Sequence, residues 1–145
     1  MTIRFLSKIK EWKNFSNLSP HPININGEKW KSVEHYYQYK KFEQSDLEFA
    51  LKLKNLESPK EVKKLSMKNY NYSKDWDELK IDIMKGAVKT KFQTYSKLRD
   101  LLLSTGKEEL IEANPDDYFW GEGEKKNGKN IMGKILMEIR YDLSN

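Results

Sequence analysis

The longest run of helical periodicity in this sequence extends from about Asp75 to Tyr95. Within it, apolar side chains recur three or four residues apart, which places them along one face of an α-helix. The residues expected to face the core are Trp76, Leu79, Ile83, Ala87 and Val88. This segment is therefore expected to be the longest element of a helix-rich fold.

Shorter segments predict the rest of the architecture. Residues 2–6 predict a short strand, and residues 23–30 predict a β-hairpin in which Asn26-Gly27 supplies a type I′ turn. Ser32, Ser58 and Ser96 are the expected N-caps of helices, because a serine oxygen can accept an otherwise unpaired backbone N–H. The expected helices are 32–42, 46–55, one after Ser58, one from Ser96 to about Thr105, and 131–142. Together these elements predict an α+β fold, helix-rich with a small β-hairpin or short sheet, in one domain over residues 1–145.

Composition limits the chemistry that such a fold can perform. The chain has no cysteine, which excludes a disulfide framework, a zinc ribbon and a thiol nucleophile. Its two histidines, His21 and His35, are too few for a metal site and are expected to be polar or packing residues. No apolar run approaches the ~20 residues of a membrane helix, and the N-terminus lacks a signal-peptide core. We therefore expect a cytoplasmic protein with no metal and no membrane partner.

The charge of the chain raises the question of nucleic-acid binding. The net charge is +5 and the pI is near 9.2, but the only arginines are Arg4, Arg99 and Arg140, and the lysines are spread along the chain. A lysine reads bases less well than the planar fork of an arginine. An anionic small ligand is thus favoured over nucleic acid, whose binding would weaken steeply with salt.

The loop at residues 121–130, GEGEKKNGKN, nearly matches a phosphate-binding loop. The spacing G-x-x-x-x-G-K begins at Gly123, but Asn130 stands where Ser or Thr would hold Mg²⁺, and no buried strand leads into the loop. A P-loop NTPase is therefore disfavoured. Two interpretations stay open: a flexible surface loop capped by Asn130, or backbone N–H groups that bind an anion. Trp120, which lies between Asp117 and the glycines, is the tryptophan best placed to stack on a planar base.

A polar stripe crosses the most aromatic helix, SVEHYYQYKKF at residues 32–42. Glu34, Gln38 and Lys41 share one face of this helix at i, i+4 and i+7. In one interpretation Glu34 complements the helix dipole and Lys41 reaches solvent along an apolar surface. In the other, the stripe is the wall of a pocket, where apolar rings raise the pKa of Glu34 and suit it to proton transfer. Lys41 would then be an anion contact or a nucleophile.

Seven segments, in order along most of the chain, resemble the NADAR (YbiA-like) family. They are NFSNLSPHPI, NGEKWKSVEHYYQYKKF, DW at 75–76, IMKGAVKTKF, LLLSTG, DDYFWGEG and GKNIMGKILMEIR. The patterns E-H-Y-Y-Q…K-F and Y-F-W-G-x-G…G-K-N-x-x-G are specific in combination, whereas either alone would be weak.

This resemblance implies a helix-rich α+β fold and an N-glycosidase that needs no cofactor. The implied substrate is a small molecule, a phosphorylated ribosylamine among the early pyrimidine intermediates of the riboflavin pathway, or else ADP-ribosylated guanine, free or in nucleic acid. A module that binds ADP-ribose or another nucleotide without turnover is the alternative. The oligomeric state stays open.

The resemblance also implies which residues form the site. Glu34 is the expected acid–base residue and Asp117 the second choice, because a carboxylate can stabilise positive charge on the sugar or activate water. Lys41 could instead form a Schiff base with C1′ of the opened sugar. The expected substrate contacts are Asn14, Ser16, Asn17, Gln38, Trp76, Trp120, Gly121, Gly123 and Asn130.

Overall fold

The structure is a computed structural model that describes all of residues 1–145. It contains six α-helices and four short strands, which confirms the prediction of a helix-rich α+β fold. The chain forms two compact units. The first unit consists of Met1–Ser16 together with Tyr95–Asn145, and the second consists of Asn17–Thr94. A single domain over residues 1–145 stays a prediction.

The elements follow one another in an irregular order of helices and strands. In chain order they are β1 (Thr2–Phe5), a 3₁₀ helix (Lys13–Phe15), β2 (Ile23–Ile25), β3 (Glu28–Trp30), α1 (Val33–Phe42), α2 (Leu47–Asn55), α3 (Pro59–Ser66), α4 (Trp76–Thr94), α5 (Ser96–Ser104), β4 (Glu109–Glu112) and α6 (Ile131–Ser144). None of the six helices is both long and apolar enough to cross a membrane.

The framework of the second unit is α4, against which α1 and β2 pack. Of the five residues predicted to face the core, Trp76, Ala87 and Val88 are buried, Ile83 is half-buried and Leu79 is exposed, so the prediction for Leu79 was wrong. The reason is that the buried face also includes Met84, Lys91 and Phe92. At about 100° per residue, these positions lie about 120° or more around the helix from Leu79, which therefore faces solvent.

The hairpin of the second unit confirms the predicted turn. Asn26 and Gly27 have φ angles of 54° and 82°, as a type I′ turn requires at both central positions. Strands β2 and β3 pair in antiparallel register, with Ile23 opposite Trp30. Strand β3 ends at Trp30, two residues before Ser32, which is the N-cap of α1.

The serine caps are confirmed at two of three positions. The side chains of Ser32 and Ser58 each accept a backbone N–H at the start of α1 and α3. Ser96 was wrongly predicted as a cap: it is the first residue of α5, and Tyr95, whose side chain does not cap the helix, occupies the N-cap position.

The first unit contains a parallel strand pair, of which β1 confirms the predicted strand at residues 2–6 whereas β4 was not predicted. Strands β1 and β4 pair from Thr2 opposite Glu109 to Phe5 opposite Glu112. The sequence of β4, ELIE, buries Leu110 and Glu112 on the same side, and the charged residue conceals the alternation that marks a half-buried strand. Helix α6 begins at Ile131 and buries the three residues expected: Ile135, Leu136 and Ile139.

Candidate active site

Helix α1 holds a buried carboxyl group in the second unit. Glu34 is 2% exposed. Asn17 Nδ2 donates to Glu34 Oε1 at 2.5 Å, and Gln38 Nε2 donates to Glu34 Oε2 at 2.9 Å. The backbone N–H of Glu34 also donates to the carbonyl of Asn17 at 3.3 Å. Each oxygen of the carboxyl group is thus held by a neutral amide, and three predicted site residues are brought together.

Burial is the main influence on the electrostatics of this carboxyl group. It raises the pKa of Glu34 above the ordinary value, because a desolvated carboxylate loses the hydration of its charge. The hydrogen bonds from Gln38 and Asn17, together with the positive charges of Lys63 and Lys41, oppose this rise. Glu34 therefore keeps its proton to a higher pH than an exposed carboxyl group does, which suits a group that hands over a proton.

Gln38 adds an unused acceptor to this cluster. Its side chain is buried, and while Nε2 donates to Glu34, Oε1 accepts no hydrogen bond. Buried acceptors in proteins ordinarily have a donor. An N–H or O–H group of a ligand beside Glu34 would satisfy this oxygen.

Lys41 lies two helical turns beyond Glu34 and is half-buried. Its Nζ is 4.7 Å from the centre of the Tyr72 ring and 5.6 Å from that of Phe42. Burial lowers the pKa of Lys41, whereas the charge of Glu34 opposes this change. The faces of the two rings stabilise the ammonium form. A nucleophilic amine must be neutral, and burial favours that form whereas the rings favour the ammonium form, so the anion contact and the Schiff base both stay predictions.

Trp76 and His35, also in the second unit, are buried and contact other residues of the protein. Trp76 is 3% exposed, and its ring centre is 5.0 Å from that of Tyr37. His35 is buried between Ser32 Oγ at 2.7 Å and the carbonyl of Leu56 at 2.8 Å. The chain has no group of three or more His, Cys, Asp or Glu side chains that could hold a metal ion.

The glycine-rich loop of the first unit is tightly packed on itself. A Cβ atom at Gly123 would lie 2.3 Å from the ring of Tyr118, and one at Gly128 would lie 2.5 Å from the carbonyl oxygen of Gly121. The N–H groups of Gly123 and Gly128 donate to backbone carbonyls of the same unit at 3.1 and 2.7 Å. These glycines thus permit close packing of the loop, and their N–H groups stabilise its fold.

Two polar side chains, Asp117 before the loop and Asn130 at its end, also bind backbone groups. Asp117 Oδ1 accepts the N–H groups of Phe119 and Trp120 at 2.9 and 2.8 Å. Asn130 Oδ1 accepts the backbone N–H of Glu112, the last residue of β4, at 2.9 Å. Asn130 Nδ2 donates to the backbone carbonyl of Leu110 in the same strand, also at 2.9 Å. The geometry therefore assigns both side chains a part in holding the loop and the strand.

The remaining predicted contacts also belong to the first unit. Trp120 is half-buried, and its ring meets that of Phe119 edge-on at 4.8 Å. Asn14 is half-buried within the 3₁₀ helix, and Ser16 is buried at the end of that helix. Gly121 is buried. Their roles as substrate contacts stay predictions.

A second buried ionisable group of the second unit was not predicted. Lys91 is 1% exposed, and its Nζ donates to Ser19 Oγ at 2.6 Å. Burial lowers the pKa of Lys91 to about 7. Ser19 Oγ also lies 2.9 Å from Nδ1 of His21, whose pKa is lowered by burial and by the charge of Lys91. The signal in the sequence was spacing, because Lys91 follows the buried Met84 and Val88 at helical intervals.

Comparison with known families and proteins gives consistent matches. The model of a family described as the NADAR domain matches residues 4–144. An N-glycosidase of Nostoc punctiforme is 41% identical over 147 residues, which span 100% of this chain and 94% of that protein.

Two further proteins match over most of the chain. The NMR structure of Escherichia coli YbiA, a protein named an N-glycosidase, superposes with a TM-score of 0.89 at 33% identity and covers 99% of this chain and 84% of that one. The chloroplastic riboflavin biosynthesis protein PYRR of Zea mays is 38% identical over 143 residues, which span 89% of this chain but only 23% of that protein.

Proposed function

The chain belongs to the NADAR domain family and is an N-glycosidase, and we propose that Glu34 is the acid–base residue of its reaction. The observation that carries this proposal is a carboxyl group that is almost fully buried, held by two amides and raised in pKa. Perturbed carboxyl groups of this kind occur mostly at functional sites.

The chemistry of an N-glycosyl bond suits such a group. In its protonated form Glu34 donates to the nitrogen that leaves C1′ of the sugar, so that the C1′–N bond breaks and the base departs neutral. The resulting carboxylate lies beside a sugar that carries positive charge and stabilises it. Water then adds to C1′, and its proton restores the acid form of Glu34. The net reaction consumes one water and releases a base and a sugar.

The other residues of the cluster have distinct proposed roles. Asn17 holds the carboxyl group of Glu34 in place. The unused oxygen of Gln38 accepts a hydrogen bond from the substrate, either from a ribose hydroxyl or from an N–H of the base. Lys41 binds a phosphate of the substrate, because its ammonium form is stabilised by neighbouring rings.

The proposed substrate is a phosphorylated ribosylamine of the riboflavin pathway or ADP-ribosylated guanine. Both compounds join a base to ribose through nitrogen and carry phosphate, so both suit an acid beside a cation. The relative named as a riboflavin biosynthesis protein supports the first compound, although the chain spans only part of that protein. Action in the cytoplasm stays a prediction.

Product release separates these possibilities. The protein is incubated with a pyrimidine ribosylamine phosphate and with ADP-ribosylated guanine in DNA. Free pyrimidine is measured by chromatography for the first substrate, and free ADP-ribose for the second. Wild type should release one of these two products, and Glu34→Gln should lower the rate by at least ~10²-fold. Glu48→Gln, at an exposed position in α2, is the matched control and should retain the wild-type rate.

Three outcomes would contradict parts of this proposal. Wild-type turnover by a folded Glu34→Gln protein would remove Glu34 from the acid–base role. Thermal stabilisation by nucleotide with no base released would indicate a binding module. A substrate adduct trapped on Lys41 by borohydride would establish the Schiff-base route instead.

A further inference from the structure

Residues 17–21, here called the linking segment, connect two buried ionisable side chains of the second unit. At its start, Asn17 holds Glu34 twice, through its side chain at 2.5 Å and through its carbonyl at 3.3 Å. Two residues later, Ser19 accepts the hydrogen bond from Lys91 at 2.6 Å. Because only one residue separates Asn17 from Ser19, a shift of one displaces the other.

The linking segment is fastened at Ser19. This residue is buried, and besides the bond from Lys91 its oxygen lies 2.9 Å from Nδ1 of His21. The N–H of His21 also donates to the carbonyl of Ser19 at 2.9 Å. The segment is therefore closed into a tight turn, and Lys91 is the group that joins this turn to helix α4.

The burial of Lys91 is not explained by packing. A methionine could fill the same space, whereas an amine taken out of water destabilises the fold unless the protein uses it. No step of the proposed reaction requires Lys91. Its hydrogen bond to Ser19 joins it to the linking segment, which together with Gln38 holds Glu34.

We propose that Lys91 is a positioning residue for the N-glycosidase reaction, acting through Ser19 and the linking segment to hold Asn17 against Glu34. The inference rests on the proposed function of Glu34 and adds two residues, Lys91 and Ser19, to the machinery behind it.

The consequence for Glu34 follows from its hydrogen bonds. The bond from Asn17 is one of the influences that hold down the pKa of Glu34 against the effect of burial. If Ser19 no longer fastens the segment, Asn17 leaves the carboxyl group for part of the time and the ionised form loses a donor. The pKa of Glu34 then rises further, and the carboxylate left after proton transfer is less stable.

The test uses Ser19→Ala, which removes the hydroxyl and keeps Lys91. Glutamate is labelled with ¹³C in the side-chain carboxyl group, the Glu34 signal is identified by its absence in Glu34→Gln, and the signal is titrated by NMR without substrate. Ser66→Ala is the matched control, because Ser66 is also buried and donates within its own helix to the carbonyl of Lys63.

We expect the pKa of Glu34 to be higher in Ser19→Ala than in wild type, and unchanged in Ser66→Ala. The kcat should fall roughly 10- to 100-fold in Ser19→Ala, because a displaced catalytic group loses orientation, while KM should change much less. Lys91→Met should show the same two effects, and Ser19→Ala decides alone if Lys91→Met does not fold.

An unchanged pKa of Glu34 with an unchanged kcat in folded Ser19→Ala would overturn the proposal, even where Glu34→Gln is inactive. Absence of turnover by wild type would count against the proposed function instead. The NMR titration would still decide whether Ser19 positions Asn17, because it needs no substrate.

Discussion

The polar cluster around Glu34 and the glycine-rich loop of residues 121–130 use similar residue types in opposite ways. In the cluster, side-chain amides hold a buried carboxyl group, and one buried acceptor has no donor. The side chains of Asp117, which precedes the loop, and of Asn130 at its end bind backbone N–H and C=O groups. Both of these side chains have backbone partners, whereas Gln38 Oε1 in the cluster has no donor.

This difference distinguishes residues that can bind a ligand from residues that hold the fold together. A group that serves catalysis must be held in place while part of its bonding capacity stays available to a ligand. Gln38 meets that condition through one oxygen. Asn130 uses one acceptor and one donor position of its amide on β4, which gives it a part in holding the fold. Its role as a substrate contact stays a prediction.

The largest expected effect concerns Lys91 and the pH dependence of stability. Its pKa is about 7 in the folded protein and 10.5 in an ordinary setting, so the unfolded chain binds more protons between these values. The free energy of unfolding should therefore rise with pH from about 7 to 10.5, by on the order of 5 kcal/mol from this residue. Urea denaturation across that range measures the slope, which Lys91→Met should lose and Lys52→Met, at an exposed position, should keep.

The next largest effect concerns a glycine beside the loop. A Cβ at Gly133 would lie 2.1 Å from the carbonyl oxygen of Leu110. Gly133→Ala should therefore destabilise the protein by about 3 kcal/mol through overpacking. Gly86→Ala, in a helix with nothing within 4 Å of the added carbon, should instead stabilise it by about 0.5 kcal/mol. Thermal denaturation compares them, and equal effects would show that Leu110 moves aside.

Asn130 gives a sharper test of the loop. Asn130→Ala removes the bonds to Leu110 and Glu112 of β4 and should lower the free energy of unfolding by about 2 kcal/mol. The rate of base release by the folded variant should stay within about fivefold of wild type, because the effect is on the fold. A loss of ~10²-fold with unchanged stability would place the loop among the catalytic elements.

Asp117 should show the smallest effect. Asp117→Ala removes the acceptor for two N–H groups and should destabilise the protein by about 1 kcal/mol. Asp117→Asn keeps an acceptor oxygen and should be close to wild type in stability and turnover. If Asp117→Asn instead loses turnover while Glu34→Gln keeps it, the second choice for the acid–base residue replaces the first.

The sequence predicted local structure well where one cause acts alone. The Asn26-Gly27 turn depends on backbone preference, and the Ser32 cap depends on one hydrogen bond, so each was confirmed. Strand β4 was missed because its partner lies about a hundred residues away in sequence and Glu112 conceals its alternation. Leu79 was misplaced because the buried face of α4 also includes Met84, Lys91 and Phe92, which lie on the side of the helix away from Leu79.

The candidate site was predictable only where it depends on local spacing along the chain. The helical spacing of Glu34 and Gln38 predicted that they share a face, and their hydrogen bond confirms it. Burial of Glu34 depends on tertiary packing, so the two interpretations of the stripe could not be separated from sequence. The bond between Ser19 and Lys91 joins residues far apart in the chain, and no local pattern indicates it.

The direct measurement of the central claim is an NMR titration of the Glu34 carboxyl group in wild type, with its signal identified by comparison with Glu34→Gln. A midpoint clearly above the ordinary glutamate value of 4.5 is predicted, because the group is almost fully buried and held by neutral amides. A titration midpoint at or below 4.5 would mean that the Glu34 carboxyl group is solvated or ion-paired. It would then be ionised near neutral pH and could not donate a proton to the leaving nitrogen.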